Sequence, residues 1–125
     1  MLAVIGGAGF LGTRLSERLR TRRVNHQLYD ISDRENDRIA YIDVTEEKSL
    51  NQLEGFEAII NLAAEHRDDV YPVSKYDLVN VEGAKNICNA ARRLGINKIY
   101  FTSSVAVYGF SDSELDESAS VNYFN

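Results

Sequence analysis

Residue types that anchor other classes of protein are scarce in this chain of 125 residues, which has one cysteine, one proline and no tryptophan. A single cysteine excludes an intrachain disulfide, so we expect a cytoplasmic protein and not a secreted disulfide scaffold. No cysteine and histidine residues have metal-ligand spacing, and no metal site is expected. No apolar run approaches the roughly 20 residues of a membrane span, and no signal peptide is recognisable, so no membrane partner is expected.

Positive charge is also in the minority. The chain has 14 lysines and arginines against 19 aspartates and glutamates, which gives a net charge of -5. This balance argues against nucleic acid as a partner. Four arginines fall close together at 18, 20, 22 and 23, where we interpret them as a solvated helix end favoured by the helix dipole. The hydrophobic fraction of 44% suits one domain with one core.

Glycine, in contrast, is concentrated near the start, in the stretch Gly6-Gly7-Ala8-Gly9-Phe10-Leu11-Gly12. An apolar run precedes this stretch, and leucines at every fourth position (11, 15 and 19) follow, which predicts a strand, a tight turn and an amphipathic helix. Gly6 permits the reversal, Gly9 lets phosphates approach the backbone, and Gly12 lets the helix pack closely. The first helical N–H groups should then face an anion.

A carboxylate follows at a distance typical of dinucleotide-binding folds. The predicted strand 26–30 ends at Asp30, which is 24 residues after Gly6. There it would accept hydrogen bonds from both adenosine ribose hydroxyls and repel a 2′-phosphate, which favours NAD over NADP. Arg34 lies close enough to weaken that preference. The alternative is an aspartate that caps a helix in a loop.

The later elements alternate between strand and helix. Strands are predicted at 39–42, 58–62 and 98–102, a short helix starts at Thr45, and the longest helix spans 76–94. That helix has an apolar stripe that includes Leu78 and Val81. The alternation predicts an α/β fold, a Rossmann-like doubly wound parallel sheet with strand order 3-2-1-4-5.

In such a sheet, ligands bind beyond the carboxyl ends of the strands. Asp43 could accept from an adenine amino group with Val44 against the ring, although Asp-Val-Thr is equally typical of a helix cap. Ala63 and Ala64 are small enough for a cofactor to pass over them, but two alanines would also suit a crowded strand end.

The chain resembles the extended short-chain dehydrogenase/reductases, and most closely their NAD-dependent nucleotide-sugar epimerases and dehydratases. The motifs that carry this resemblance span residues 1–117 in family order. They are the glycine stretch 6–12, Asp30, Asp43-Val44, Asn61-Leu62-Ala63-Ala64, Asn80-Val81-Glu82-Gly83 and the run 102–109 from Thr102 to Gly109.

The resemblance implies that NAD is the cofactor. The residues that match its binding positions are Gly6, Gly9, Phe10, Leu11, Gly12, Asp30, Asp43, Val44, Leu62, Ala63, Ala64 and Asn80. Asn80 matches an asparagine that steadies the active-site strands and cofactor, and its alternative is an asparagine on a helix surface.

The resemblance also implies that Ser104 is the catalytic serine that hydrogen-bonds the reacting sugar oxygen, with Ser103 as the second choice. Alternatively, Ser104 hydrogen-bonds its own backbone at a strand end. The family's catalytic Tyr-x-x-x-Lys is missing from the 21 residues after Ser104. We interpret residues 123–125, which begin with Tyr123, as the approach to that pair.

We therefore expect residues 1–125 to be the NAD-binding Rossmann domain of a longer enzyme, truncated before the later strands and inactive alone. The predicted function is the NAD-binding portion of a nucleoside-diphosphate-sugar epimerase or dehydratase, with a nucleotide sugar as the parent's substrate. An NAD(P)H-dependent reductase of a keto-sugar or small carbonyl, and a non-catalytic dinucleotide-binding module, are the alternatives. Strand 98–102 should be an open edge that self-associates, unless an acidic tail (111–121) covers it or is mobile.

Overall fold

The computed structural model describes residues 1–32, 38–67 and 69–122, so Arg34 and Tyr123 lie outside the described residues. The regular elements are β1 (Leu2–Ile5), α1 (Phe10–Thr21), β2 (His26–Asp30), β3 (Ile39–Tyr41), β4 (Ala58–Asn61), α2 (Ser74–Tyr76), α3 (Gly83–Leu94) and β5 (Lys98–Phe101). A 3₁₀ helix, Glu47–Leu53, replaces the predicted short α-helix between β3 and β4. A π-helical turn, Asp77–Glu82, joins α2 to α3, and a second 3₁₀ helix, Val105–Tyr108, follows β5.

The five strands form one parallel sheet in the order β3-β2-β1-β4-β5, which confirms the predicted topology. β1 is central, and its last residue, Ile5, lies opposite Tyr29 of β2 and Asn61 of β4. The winding reverses between β1 and β4, because the chain runs outward through β2 and β3 before it returns. The carboxyl ends of β1, β2 and β4 therefore meet at one edge.

One hydrophobic core lies between the sheet and the helices that follow β3 and β4. Ile5 and Ile59 contribute to it from the sheet, and Ile87 contributes from α3. Leu50 and Leu53 of the 3₁₀ helix are completely buried in the same core. Among the described residues, no helix has the length and apolar character that crossing a bilayer requires.

Helix α1 packs on the sheet with a different face from the one that the leucine spacing predicted. Its buried residues are Gly12 and Ser16, whereas Leu11 is 52% exposed. A Cβ at Gly12 would lie 2.5 Å from the Gly6 carbonyl oxygen. The contact is thus so close that only small side chains fit at its centre, and Leu15 and Leu19 are left half-buried at its side.

The long helix also departs from the predicted apolar stripe. Ile87 and Ala91 are buried as expected, but Leu78 and Val81 are 49% and 45% exposed. Both exposed residues lie in the π-helical turn, which has more residues per turn than an α-helix. The 3.6-residue periodicity therefore does not extend through this turn, and the prediction was wrong for these two side chains.

The contact at Gly12 predicts a large effect of Gly12→Ala on stability. The added methyl would meet backbone atoms of Gly6 and Gly7 at 2.5–2.8 Å, and these atoms belong to a tight turn. We expect the free energy of unfolding, measured by urea denaturation, to fall by about 2–3 kcal/mol, although alanine favours helix by about 1 kcal/mol. Gly9→Ala is the matched control, because its Cβ would lie 3.4 Å from the nearest atom. Equal losses in the two variants would contradict this account.

Candidate functional site

The carboxyl ends of the central strands enclose a cavity of about 200 Å³. Eight of the predicted cofactor residues line it: Gly6, Gly9, Asp30, Asp43, Val44, Leu62, Ala63 and Ala64. A larger groove of about 980 Å³ lies along α1, β2 and the start of β3, and it contains none of the predicted residues. The topology thus brings most of the predicted site together in one place.

The glycine turn is tied to the strands on both sides of β1. The N–H groups of Gly6 and Gly7 both donate to the Tyr29 carbonyl at 2.9 Å, which joins the turn to β2. Gly6 has a φ of +81°, and a Cβ there would lie 2.7 Å from the Leu62 carbonyl carbon, just after β4. Because a side chain would meet both a strained conformation and a backbone, glycine is required at this position.

The amino-terminal end of α1 is open. Its first helical hydrogen bond runs from the Thr13 N–H to the Gly9 carbonyl at 3.0 Å, and no side chain caps the helix. The N–H groups of Phe10 and Leu11 precede that bond and point beyond the helix end. A Cβ at Gly9 would meet no atom closer than 3.4 Å, so this side of the turn is accessible. Exposed N–H groups and the helix dipole make it suitable for an anion.

Asp30 lies at the end of β2 and is bound to the glycine turn. Its Oδ2 accepts a hydrogen bond from the Ala8 N–H at 3.0 Å. Its Oδ1 accepts from the N–H of Ser32 at 3.0 Å and from the Ser32 hydroxyl at 2.8 Å. Each carboxylate oxygen can accept more than one hydrogen bond, so the group retains acceptor capacity toward the cavity that it lines. Local loop bonds and a ribose-binding role are therefore compatible.

Asp43 and Val44 follow β3. Asp43 Oδ1 accepts from the Thr45 N–H at 2.8 Å and from the Thr45 hydroxyl at 2.7 Å, as the cap interpretation required, and yet Asp43 also lines the cavity. Val44 is held against α3, since the Asn86 amide donates to its carbonyl at 3.0 Å. Glycine at position 83 is needed for this contact, because a Cβ there would lie 2.6 Å from Val44 Cγ2.

Asn80 binds the loop that follows β4. Its Oδ1 accepts from the Glu65 N–H at 2.8 Å, and its Nδ2 donates to the Glu65 carbonyl at 2.9 Å. The pair of bonds joins the π-helical turn to the residues directly after Ala63 and Ala64. Asn80 does not line the cavity itself; it holds the backbone of the loop that does.

The two candidate catalytic serines lie outside the cavity lining. Ser104 is exposed and begins the 3₁₀ helix Val105–Tyr108, where its Oγ accepts from the Ala106 N–H at 3.2 Å. This is the local bond that the alternative interpretation predicted. Because Oγ is the acceptor in this bond, its own proton remains available to a substrate oxygen. Ser103, the second choice, is also exposed.

Glu65 and Lys75 were missed by the sequence analysis, although both line the cavity. Lys75 Nζ lies 3.1 Å from Glu65 Oε2. The hydrogen bond from Lys75 lowers the pKa of the Glu65 carboxyl below its ordinary value, so the carboxyl is ionised at neutral pH. The two residues are at opposite ends of a loop, and nothing in their spacing indicates that they meet. In the part of the chain that the structure describes, no group of three side chains is arranged to hold a metal ion.

The chain was compared with known protein families and structures. The model of the NAD dependent epimerase/dehydratase family matches residues 2–124. An N-acetyl-alpha-D-glucosaminyl-diphospho-ditrans,octacis-undecaprenol 4-epimerase from Escherichia coli O157:H7 is 40% identical over 98% of the chain and 38% of its own length.

Two solved structures cover 98% of the chain. One is a Y136A uronate dehydrogenase from Agrobacterium tumefaciens in complex with NAD (TM-score 0.82, 26% identity, 48% of that chain). The other is a Thermus thermophilus UDP-glucose 4-epimerase in complex with NAD (TM-score 0.84, 25% identity, 44% of that chain).

The paired bonds of Asn80 predict that Asn80→Ala destabilises the fold. It leaves the N–H and carbonyl of Glu65 without their partners, and we expect the free energy of unfolding in urea to fall by about 1–3 kcal/mol. Asn89→Ala is the control, because Asn89 only accepts a bond from Arg92 at an exposed position of α3. A loss in Asn80→Ala no larger than in Asn89→Ala would contradict the role of this clamp.

Proposed function

The chain belongs to the NAD dependent epimerase/dehydratase family, and from that premise we propose that it is the NAD-binding part of a nucleoside-diphosphate-sugar epimerase or dehydratase. The family resemblance in the sequence is thereby confirmed. The chain spans 38% of the length of the E. coli relative, so the proposed activity is that of a longer parent protein.

The observation that supports this proposal is the open amino-terminal end of α1 beside the Asp30 carboxylate, at one cavity. The N–H groups of Phe10 and Leu11 would bind the cofactor diphosphate, with Gly9 leaving room for it. Asp30 would accept from the adenosine ribose hydroxyls, and Val44 would lie against the adenine. Donors for an anion and acceptors for a diol thus occur next to each other, as a dinucleotide requires.

The substrate is proposed from the chemistry that the relatives share. The E. coli relative is named for a sugar diphosphate linked to undecaprenol, and the T. thermophilus enzyme for UDP-glucose. A hexose with a diphosphate at its anomeric carbon is common to both names. We therefore propose a diphosphate-linked sugar as the substrate class, with a nucleoside diphosphate as the first choice.

In this proposal, the chain's own part in the reaction is to hold and orient. When bound, the nicotinamide ring supplies hydride transfer. Ser104 would donate its hydroxyl proton to the reacting sugar oxygen, since its Oγ acts as acceptor toward Ala106. A general base is also needed, and no lysine of a Tyr-x-x-x-Lys pair follows Ser104 in this sequence. We expect the chain to bind NAD without turnover.

A second candidate is an oxidoreductase that consumes or forms NAD(P)H on a sugar or small carbonyl compound. The likeness to uronate dehydrogenase favours it. The two candidates share every cofactor contact proposed above. They differ in whether the hydride returns to the same substrate, so an NAD that stays bound through turnover of the parent would favour the epimerase.

Asp30→Asn tests the cofactor site, because it removes the charge but keeps an oxygen that can accept from Ala8 and Ser32. We expect wild-type chain to bind NAD in calorimetric titration and to prefer it over NADP. In the variant, the ratio of NADP to NAD affinity should rise by about tenfold, since a 2′-phosphate is no longer repelled. Asp69→Asn, which changes an exposed partner of Arg67, should leave the ratio unchanged. Wild-type chain without measurable affinity for NAD would contradict the proposed function.

We also propose that the chain self-associates through β5. β4 is the only neighbour of β5 in the described sheet, so one edge of β5 is open. Tyr100 and Phe101 are 57% and 62% exposed. The described part of the tail turns back toward the 3₁₀ helix, where the Asn122 N–H donates to the Val107 carbonyl at 2.8 Å. An open apolar edge strand readily pairs with another chain.

Tyr100→Lys should weaken this association, because a lysine on an edge strand opposes pairing. We expect sedimentation velocity to show a concentration-dependent dimer for wild-type chain and mostly monomer for the variant. Tyr71→Lys is the control, since Tyr71 is 91% exposed and lies outside the sheet. A monomeric wild-type chain at high concentration would contradict the proposal.

A further inference from the structure

The charges around the cavity are unfavourable for an anionic ligand. Among the described residues that line it, three carboxylates (Asp30, Asp43 and Glu65) stand against one lysine, Lys75, and no arginine. The chain as a whole also carries a net charge of -5. A dinucleotide diphosphate is doubly negative, so its entry is opposed by repulsion unless a cation lies close by.

The arginines of α1 do not meet this need. Arg20 is in the last turn of the helix, and Arg22 and Arg23 follow it, whereas the cavity is at the opposite end. A helix of 12 residues is about 18 Å long, which exceeds the Debye length of about 10 Å at about 0.1 M salt. Arg14 is closer, but it pairs with Glu17 at 3.5 Å and does not line the cavity.

Lys75 is held at the cavity by a fixed partner. Its Nζ lies 3.1 Å from Glu65 Oε2, and the Glu65 side chain is only 15% exposed. The backbone of Glu65 is fixed in turn by the two bonds to Asn80. An ammonium group has three donors, of which Glu65 uses one, and the Lys75 side chain is 49% exposed. The remaining donors are therefore free to reach a ligand.

We infer that Lys75 binds the diphosphate of the dinucleotide and supplies the positive charge that the acidic cavity otherwise lacks. The inference rests on the proposed function and names a residue that this function did not include. Glu65 has two opposing effects, since it holds the ammonium in place but adds a negative charge to the wall. Glutamine at position 65 would keep an acceptor for Lys75 and remove that charge.

Two substitutions therefore act in opposite directions. We expect Lys75→Gln to weaken NAD binding by about tenfold in calorimetric titration, and Glu65→Gln to strengthen it. If the pair only fastened the loop to α2, both substitutions would weaken binding, because both remove the ion pair. Lys75→Arg, which keeps the charge, should retain most of the wild-type affinity.

The chemical group that Lys75 contacts is identified with two further ligands. ADP contains a diphosphate and adenosine does not, so Lys75→Gln should weaken ADP about as much as NAD and leave adenosine unchanged. Lys85→Gln is the matched control, because Lys85 forms a similar exposed pair with Glu82 at 2.7 Å outside the cavity lining. Melting curves of all variants check that each is folded.

Unchanged ADP affinity in Lys75→Gln, or an equal loss for ADP and adenosine, would overturn the inference. These outcomes are separate from failure of the proposed function. Wild-type chain that binds ADP but not NAD would contradict the proposed cofactor, whereas the role of Lys75 would still be decided by ADP against adenosine. Wild-type chain that binds neither ligand would overturn both.

Discussion

The close contact between α1 and the turn that precedes it is the constraint on which this structure depends. Gly12 lies so near Gly6 that a Cβ would be 2.5 Å from its carbonyl oxygen. This distance places the amino-terminal end of the helix directly over the carboxyl end of β1, at the point where the sheet reverses its winding. A larger side chain at Gly12 would move the helix away from the strand, and the helical N–H groups would no longer face the cavity.

The neighbouring elements are attached to this contact through polar bonds. Asp30 binds the glycine turn through Ala8, and Asn80 holds the loop that follows β4 through Glu65. The carboxylates that make these attachments also line the cavity, which makes it acidic. Its electrostatics are thus a consequence of how it is built, and Lys75 and the end of α1 are the groups that offset the negative charge for an anionic ligand.

Sequence reasoning succeeded where a local pattern is sufficient. The glycine spacing, the carboxylate that ends β2 and the alternation of strand and helix were enough for the sheet order and the family. It failed for Leu11, which is exposed because small residues form the centre of the α1 contact. It also failed for Leu78 and Val81, since a π-helical turn interrupts the periodicity on which the prediction relied. For Asp43, the structure contains both the cap and the place in the cavity that were weighed as alternatives.

By itself, the sequence determined the kinds of element, their order and the residues at the strand ends, because these depend on short-range periodicity and on the conformational range of glycine. Only the tertiary structure decided which distant side chains meet. Glu65 joins Lys75 and Asn80, and Gly83 lies against Val44, through contacts that no spacing along the chain encodes. Such contacts depend on how helices and loops are placed across the sheet, and that placement is a property of the whole packed core.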